Sequence, residues 1–210
     1  MRRARLTGWI LPGFTAALLL FLFAPIAVMI AFSFNNPLGR QNITWQGFTI
    51  NNYLTLWNRP DITEPMVNSI VIAVVSTIVA TILGTLIALA LTRYAFRGQS
   101  AMNLLIFIPM TAPEIILGAS LLTLWISLGT ERGLATILIA HIMFNISYVV
   151  VTVRARLAGF NRSLEEAAMD LYANSWTVFW KVTFPLIFPG ILAAALLAFS
   201  LSIDDFIITN

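Results

Sequence analysis

Five apolar stretches, each long enough to cross a lipid bilayer, constrain this chain more than any other feature. A helix needs about 20 mostly apolar residues to traverse the hydrocarbon core. The first candidate runs from about Trp9 to Phe34, with Pro12 and Pro25 inside it. A second covers about Val67 to Leu91 and is uncharged. The third, about Ala101 to Leu128, is interrupted by Pro109, Pro113 and Glu114. The fourth spans about Leu134 to Val153, and the fifth about Leu186 to Ile208. Only 10% of the residues are charged, against about 25% in soluble domains. Too few charges remain to cover a water-facing surface, so lipid is the solvent. The expected fold is an all-α membrane protein with five transmembrane helices, residues 1–210 forming one transmembrane domain.

The residues that are missing narrow the chemistry. With no Cys, disulfides and thiolate metal sites are excluded. A single His, His141, leaves no multi-histidine metal site, so no metal is expected. The net charge of +3 matters less than its placement, and no nucleic-acid partner is expected.

Placement sets the orientation. A cytoplasmic N-terminus puts Arg2, Arg3, Arg5, Arg93, Arg97, Arg154, Arg156, Arg162 and Lys181 inside, and only Arg40, Arg59 and Arg132 outside. Nine against three satisfies the positive-inside rule, and the opposite topology reverses it. A signal peptide is the competing reading of the first stretch. Its apolar run is about twice the usual length, and no clear small-residue cleavage site follows. Five spans starting inside leave Asn210 outside, immediately after a helix. That ending reads as a truncation.

Between spans one and two, Asn35 to Pro65 carries Trp45, Phe48, Tyr53, Leu56 and Trp57. These read as an interfacial aromatic belt, or as a contact surface for an external partner. The segment between spans four and five is more informative. Ser163 followed by Glu166 has the spacing of a capping box, so a helix should start at Ser163. Asn174 or Ser175 should cap a second short helix that ends or kinks by Pro185. Residues 163–183 are therefore predicted to form a helical hairpin on the cytoplasmic side.

Glu166-Ala167-Ala168, with Pro185 and then Pro189-Gly190 downstream, resembles the EAA loop. That loop marks the permease subunits of binding-protein-dependent ABC importers. Asn68-Ser69, Pro109, Pro113-Glu114 and Ser202-Ile203-Asp204-Asp205-Phe206 are similar to spermidine/putrescine permeases, in particular to the second of their two permease subunits. The resemblance implies a type I importer permease fold in the cytoplasmic (inner) membrane of a bacterium. It implies an ATPase subunit dimer, a second permease and an extracytoplasmic substrate-binding protein as partners, beside the bilayer itself. It also implies that Glu166, Ala167, Ala168 and Tyr172 couple the chain to the ATPase. Two departures stand out. The family usually has Gly where this chain has Tyr172, and a Gly there would permit a turn with φ > 0. The family also ends with a sixth span, absent here.

No G-x-x-x-x-G-K-[ST] phosphate loop is present. The chain is therefore expected to be a transport subunit rather than an enzyme, binding no cofactor, with ATP and Mg on the partner ATPase. Glu166 has two possible roles, capping its helix and offering charge to the ATPase.

Three acids are candidates for the solute passage: Glu114, Asp204 and Asp205. Carboxylates at membrane depth are costly and usually functional. Glu114 lies about 13 residues into its span, so about 20 Å deep if that helix were continuous. Asp204 and Asp205, being adjacent, point about 100° apart, so only one of them should face the bundle interior squarely. Acids lining a passage suit a cationic solute such as a polyamine, because an ammonium pairs with a carboxylate. The alternative is that they pair with other helices or sit in headgroup water. His141 and Asn145, one turn apart, are expected to make interhelical hydrogen bonds. An importer of another solute (iron, thiamine or phosphonate) stays open. A membrane enzyme lacks a catalytic set here, and a secondary transporter should show two matching halves.

Overall fold

The computed structural model describes residues 3–39 and 41–205, with side-chain surroundings from residue 10 onward. Arg2, Arg40, Phe206 and Ile208, which entered the sequence reading, lie outside that range. The chain divides into two compact units, Met1–Glu64 and Pro65–Asn210.

In the first unit, α1 (Arg3–Ser33) is apolar on every side, and none of its apolar stretch Ile10–Ser33 is buried. Such a helix suits lipid or a protein neighbour, not water. The segment after it folds around one amide. Asn35 is fully buried; its Nδ2 donates to Asn42 Oδ1 (2.6 Å) and to the Thr44 carbonyl (2.8 Å). Its Oδ1 accepts from the backbone N–H groups of Gln46 (2.7 Å) and Gly47 (3.2 Å). Two donors and two acceptor positions are an amide's whole capacity. Phe34 stacks on Phe48 at 5.6 Å and packs against Tyr53 at 5.1 Å. The expected aromatic belt is thus an organised loop, followed by α2 (Asn51–Leu54) and a 3₁₀ turn at Leu56–Asn58.

Helix α3 (Pro60–Arg93) begins seven residues before the predicted Val67. Pro60 opens it, where a missing N–H costs nothing, and Asp61 complements the positive end of the helix. Its buried face carries Ala73, Ser76, Thr77, Ala80, Gly84 and Ala88. Small residues four apart allow helices to approach closely in a membrane, where packing replaces the hydrophobic effect.

The third predicted span is two helices, α4 (Gln99–Thr111) and α5 (Glu114–Ser127), bent 111° at the break. The cause is local. Pro113 forces the residue before it out of the helical region, and Ala112 is extended at φ −72°, ψ 136°. Glu114 therefore does not sit part-way down a continuous rod, and the depth reckoned from sequence does not apply.

Helix α6 (Leu134–Ala158) packs along α9 (Phe184–Asp204) and against α4. Val149, Val150, Val153 and Leu157 of α6 join Ala80, Ala88 and Leu91 of α3, Ile106 of α4, and Ile187, Ala194 and Ala198 of α9 in one core. Between α6 and α9 lie α7 (Ser163–Asp170) and α8 (Ser175–Val178), which form the hairpin. The second arm does not end at Pro185. A π-helical turn over Phe179–Thr183 joins α8 to α9, and Ser175–Asp204 is one helical run of 30 residues. A proline ring clashes with the carbonyl four residues back in an α turn. Widening the preceding turn, with the Phe184 N–H donating to the Phe179 carbonyl, lets the chain stay helical through Pro185. Four helices among the described residues are long and apolar enough to span a bilayer, or up to five spans if the bent pair counts as one. Among the described residues no strand forms beyond an isolated bridge between Asn35 and Phe48.

Gly84 is a close approach of α3 to α6: a Cβ there would lie 2.6 Å from Val149 Cγ1. Gly84→Ala is expected to destabilise the purified protein by about 1–3 kcal/mol through overpacking. Val149→Ala in the same chain should restore part of that loss, as read from thermal denaturation in detergent.

Candidate functional site

The hairpin starts where the sequence predicts, but by another route. No capping box forms at Ser163. The Asn161 side-chain oxygen accepts from the Ser163 backbone N–H instead (3.0 Å). Glu166 is exposed and caps nothing, so the capping role is withdrawn and its carboxylate is free for other use. Asn174 caps the second arm as expected, accepting from the Thr177 N–H at 2.8 Å.

Tyr172 takes up the left-handed conformation that a glycine would adopt without cost, with φ 61°. The Ala173 N–H donates to the Ala168 carbonyl (3.2 Å) and the Tyr172 N–H to the Met169 carbonyl (2.9 Å). These are the two bonds of a Schellman ending. The side chain itself is 99% exposed, so it packs against nothing that offsets the backbone strain.

Adjacent residues on a helix point about 100° apart, so the two acids of α7 cannot face the same way. Glu165 turns inward and is buried. Its Oε1 accepts from the Arg93 guanidinium at the end of α3 and from the Thr183 hydroxyl in the π turn. One carboxylate thus ties α3, the first arm of the hairpin and the start of α9. Two further contacts reinforce it. Arg162 donates to the Thr92 carbonyl (3.2 Å). Arg156 donates from Nε (3.0 Å) and Nη2 (2.8 Å) to the Leu186 carbonyl. Gly190 makes the second possible, because a Cβ there would lie 2.6 Å from the Arg156 stem. Outward, the hairpin presents Leu164, Glu166, Ala167, Met169, Leu171, Tyr172 and Trp176, with Ala168 half-buried.

The three candidate acids of the passage separate. Glu114 is exposed in the first turn of α5, where the helix end favours an anion. Asp204 is exposed. Asp205, at the end of α9, turns inward: its side chain is 5% exposed, with Oδ2 3.5 Å from His141 Nε2. Only one of the adjacent pair faces the bundle, as their 100° offset led one to expect. His141 and Asn145 do make interhelical hydrogen bonds, His141 Nδ1 to Ser202 Oγ (2.7 Å) and Asn145 Nδ2 to Ser76 Oγ (3.4 Å). No group of three metal-ligating side chains occurs among the described residues.

A family model described as "Binding-protein-dependent transport system inner membrane component" matches residues 80–210. This chain belongs to that family. As a member of it, the chain is similar to the spermidine/putrescine transport system permease protein PotC of Escherichia coli (strain K12), 39% identical over 94% of this chain and 74% of that protein. The PotC protein of Haemophilus influenzae is 36% identical over 90% of this chain and 73% of its own length. The putrescine transport system permease protein PotI of Escherichia coli (strain K12) is 37% identical over 96% and 72%. In three dimensions the chain is similar to part of a bacterial ABC transporter involved in the import of the acidic polysaccharide alginate. The TM-score is 0.69 at 16% identity, covering 97% of this chain and 75% of that one. The fold is therefore that of an ABC importer permease, and this inner-membrane component is a transport subunit.

Within the family's hairpin, the EAA triplet drew the sequence reading to Glu166 and past Glu165, Arg93 and Thr183. Part of the signal was present, in two consecutive acids on a short helix that cannot face the same way, but not the partner that the inner one meets. Glu165→Ala should destabilise the protein by about 2 kcal/mol, less than the roughly 3–5 kcal/mol of a fully buried pair because Arg93 is 29% exposed. In an Arg93→Met background the same change should add little, as a double-mutant cycle in thermal denaturation will show. Tyr172→Gly, by contrast, is expected to stabilise by about 1 kcal/mol by relieving the left-handed tyrosine.

Proposed function

We propose that this chain is one of two permease subunits of an ATP-driven importer that carries polyamines such as spermidine and putrescine into the cell. The N-terminus and the hairpin of residues 163–183 face the cytoplasm. A separate ATPase dimer binds and hydrolyses ATP with Mg, a second permease completes the passage, and an extracytoplasmic binding protein delivers the solute.

The hairpin carries this reading. Its outward face joins an acid, Glu166, to small and apolar groups, Ala167, Ala168 and Met169. Exposed apolar groups of this kind mark contact surfaces. Its inward face is fastened to α3 and α9 through Glu165. A surface that docks outside and is fastened inside can transmit a push. Closure of the ATPase dimer moves the hairpin, and the hairpin tilts α3 and α9 as one body. Two states of the membrane helices, biased differently by nucleotide and solute, then give alternating access.

The choice of solute rests on charge and on relatives. Glu114, Asp204 and Asp205 supply carboxylates to a passage for an ammonium-bearing solute, and the matched relatives are named for spermidine and putrescine. The fold itself does not choose, since an alginate importer shares it.

The test is labelled-spermidine uptake by the assembled importer. Ala168→Arg places bulk and charge on the docking face and should lower uptake at least tenfold, with the ATPase subunit lost from the purified complex. Glu166→Gln removes the charge without disturbing a cap, and an intermediate loss is expected. Normal assembly and normal uptake in both variants would mean that the hairpin does not couple transport to ATP. Glu114→Gln should lower uptake while leaving assembly intact, and unchanged uptake removes Glu114 from the passage.

A further inference from the structure

Five polar side chains from three helices form one buried chain around the inward-facing carboxylate. Ser76 of α3, His141 and Asn145 of α6, and Ser202 of α9 are each at least 96% buried. The contacts run Asn145 Nδ2 to Ser76 Oγ (3.4 Å), Ser76 Oγ to Ser202 Oγ (3.2 Å), Ser202 Oγ to His141 Nδ1 (2.7 Å), and His141 Nε2 to Asp205 Oδ2 (3.5 Å).

The directions of these bonds are not arbitrary. An ionised carboxylate only accepts, so the nitrogen facing Asp205 carries hydrogen. In a neutral imidazole that leaves Nδ1 as the acceptor, and the Ser202 hydroxyl must donate to it. Ser202 oxygen then accepts from Ser76, whose oxygen accepts from the Asn145 amide. The Ser76 hydroxyl also lies 3.3 Å from the Ala73 carbonyl, so its single hydrogen is shared between that oxygen and Ser202. The imidazole of α6 thus meets Ser202 and Asp205 directly, and α3 through Ser202.

We propose that His141 is a positioning residue for the solute passage: held by the Ser202–Ser76–Asn145 chain, it fixes the Asp205 carboxylate in the geometry that receives an ammonium group of the solute. This deepens the proposed function and rests on its placement of Asp205 in the passage. The same arrangement makes that placement depend on helix packing, because the Ser202–His141 and Asp205–His141 contacts both join the end of α9 to α6, and separating those helices breaks them. The carboxylate is then held in one packing of the helices and released in another.

The experiment is labelled-spermidine uptake by the complete importer in proteoliposomes, with ATPase rate and subunit assembly measured on the same samples. His141→Leu should reduce uptake about tenfold while assembly is unchanged. His141→Gln, whose amide can still donate toward Asp205, should restore uptake to within about twofold of the parent. In an Asp205→Asn background, His141→Leu should cause no further loss. If His141→Leu fails to assemble, Ser202→Ala carries the test, with a loss of about threefold expected. Equal uptake by the Leu and Gln variants, a His141→Leu loss that persists undiminished beside Asp205→Asn, or a Ser202→Ala variant with parental uptake would overturn the positioning role. Parental uptake by Asp205→Asn alone would instead overturn the placement of Asp205 in the passage, and this proposal with it.

Discussion

The arrangement of this permease turns on a single buried carboxylate. Glu165 is accepted into the protein interior only because Arg93 and Thr183 both donate to it, since an unpaired charge there would be prohibitive. That requirement is mutual. The end of α3, the first arm of the hairpin and the π turn cannot move independently without exposing or orphaning one of the three groups. A connector between two spans thereby becomes a part mechanically continuous with them.

Continuity extends further along α9. The second arm of the hairpin, the π turn and α9 form one helical run of 30 residues, about 45 Å at 1.5 Å per residue. One end of that run carries the Asn174 cap beside the outward face of the hairpin, and the other carries Ser202, Asp204 and Asp205. Movement applied at the hairpin therefore reaches the acids through backbone hydrogen bonds rather than through a chain of soft contacts. The π turn is the one place where that ladder changes its pitch, and Thr183, which anchors Glu165, sits in it.

Much of this was legible in the residues. Hydropathy and length located the spans, because lipid leaves a helix no other way to satisfy its backbone. The starts of the two hairpin arms followed from Ser163 and Asn174, but the end of the second arm did not, because the π turn carries it on into α9. Tyr172 was rightly singled out, and it does adopt the strained conformation that a glycine would take without cost. Other features were hidden because they depend on partners distant in sequence. Nothing near Glu165 announces Arg93, 72 residues away. The capping box at Ser163 lost to Asn161, a competitor two residues upstream that the spacing rule does not weigh. The sharp bend at Ala112–Pro113 followed from proline sterics, yet its 111° could not be read from a hydropathy profile. Of the two terminal acids, the 100° offset allowed only one to face inward squarely, and which one shows only in the contact of Asp205 with His141.

The central claim is that the outward face of the hairpin docks on an ATP-hydrolysing partner at the cytoplasmic surface. The absence of cysteine from these 210 residues allows a direct measurement. A single cysteine introduced as Ala167→Cys, in the assembled importer in native membranes, can be cross-linked to its neighbours and probed with a membrane-impermeant thiol reagent from either side. The account requires a cross-link to the ATPase subunit that changes in yield when ATP is bound, with protection from reagent added outside. Labelling from the exterior, or no cross-link to the ATPase under any nucleotide condition, would contradict it.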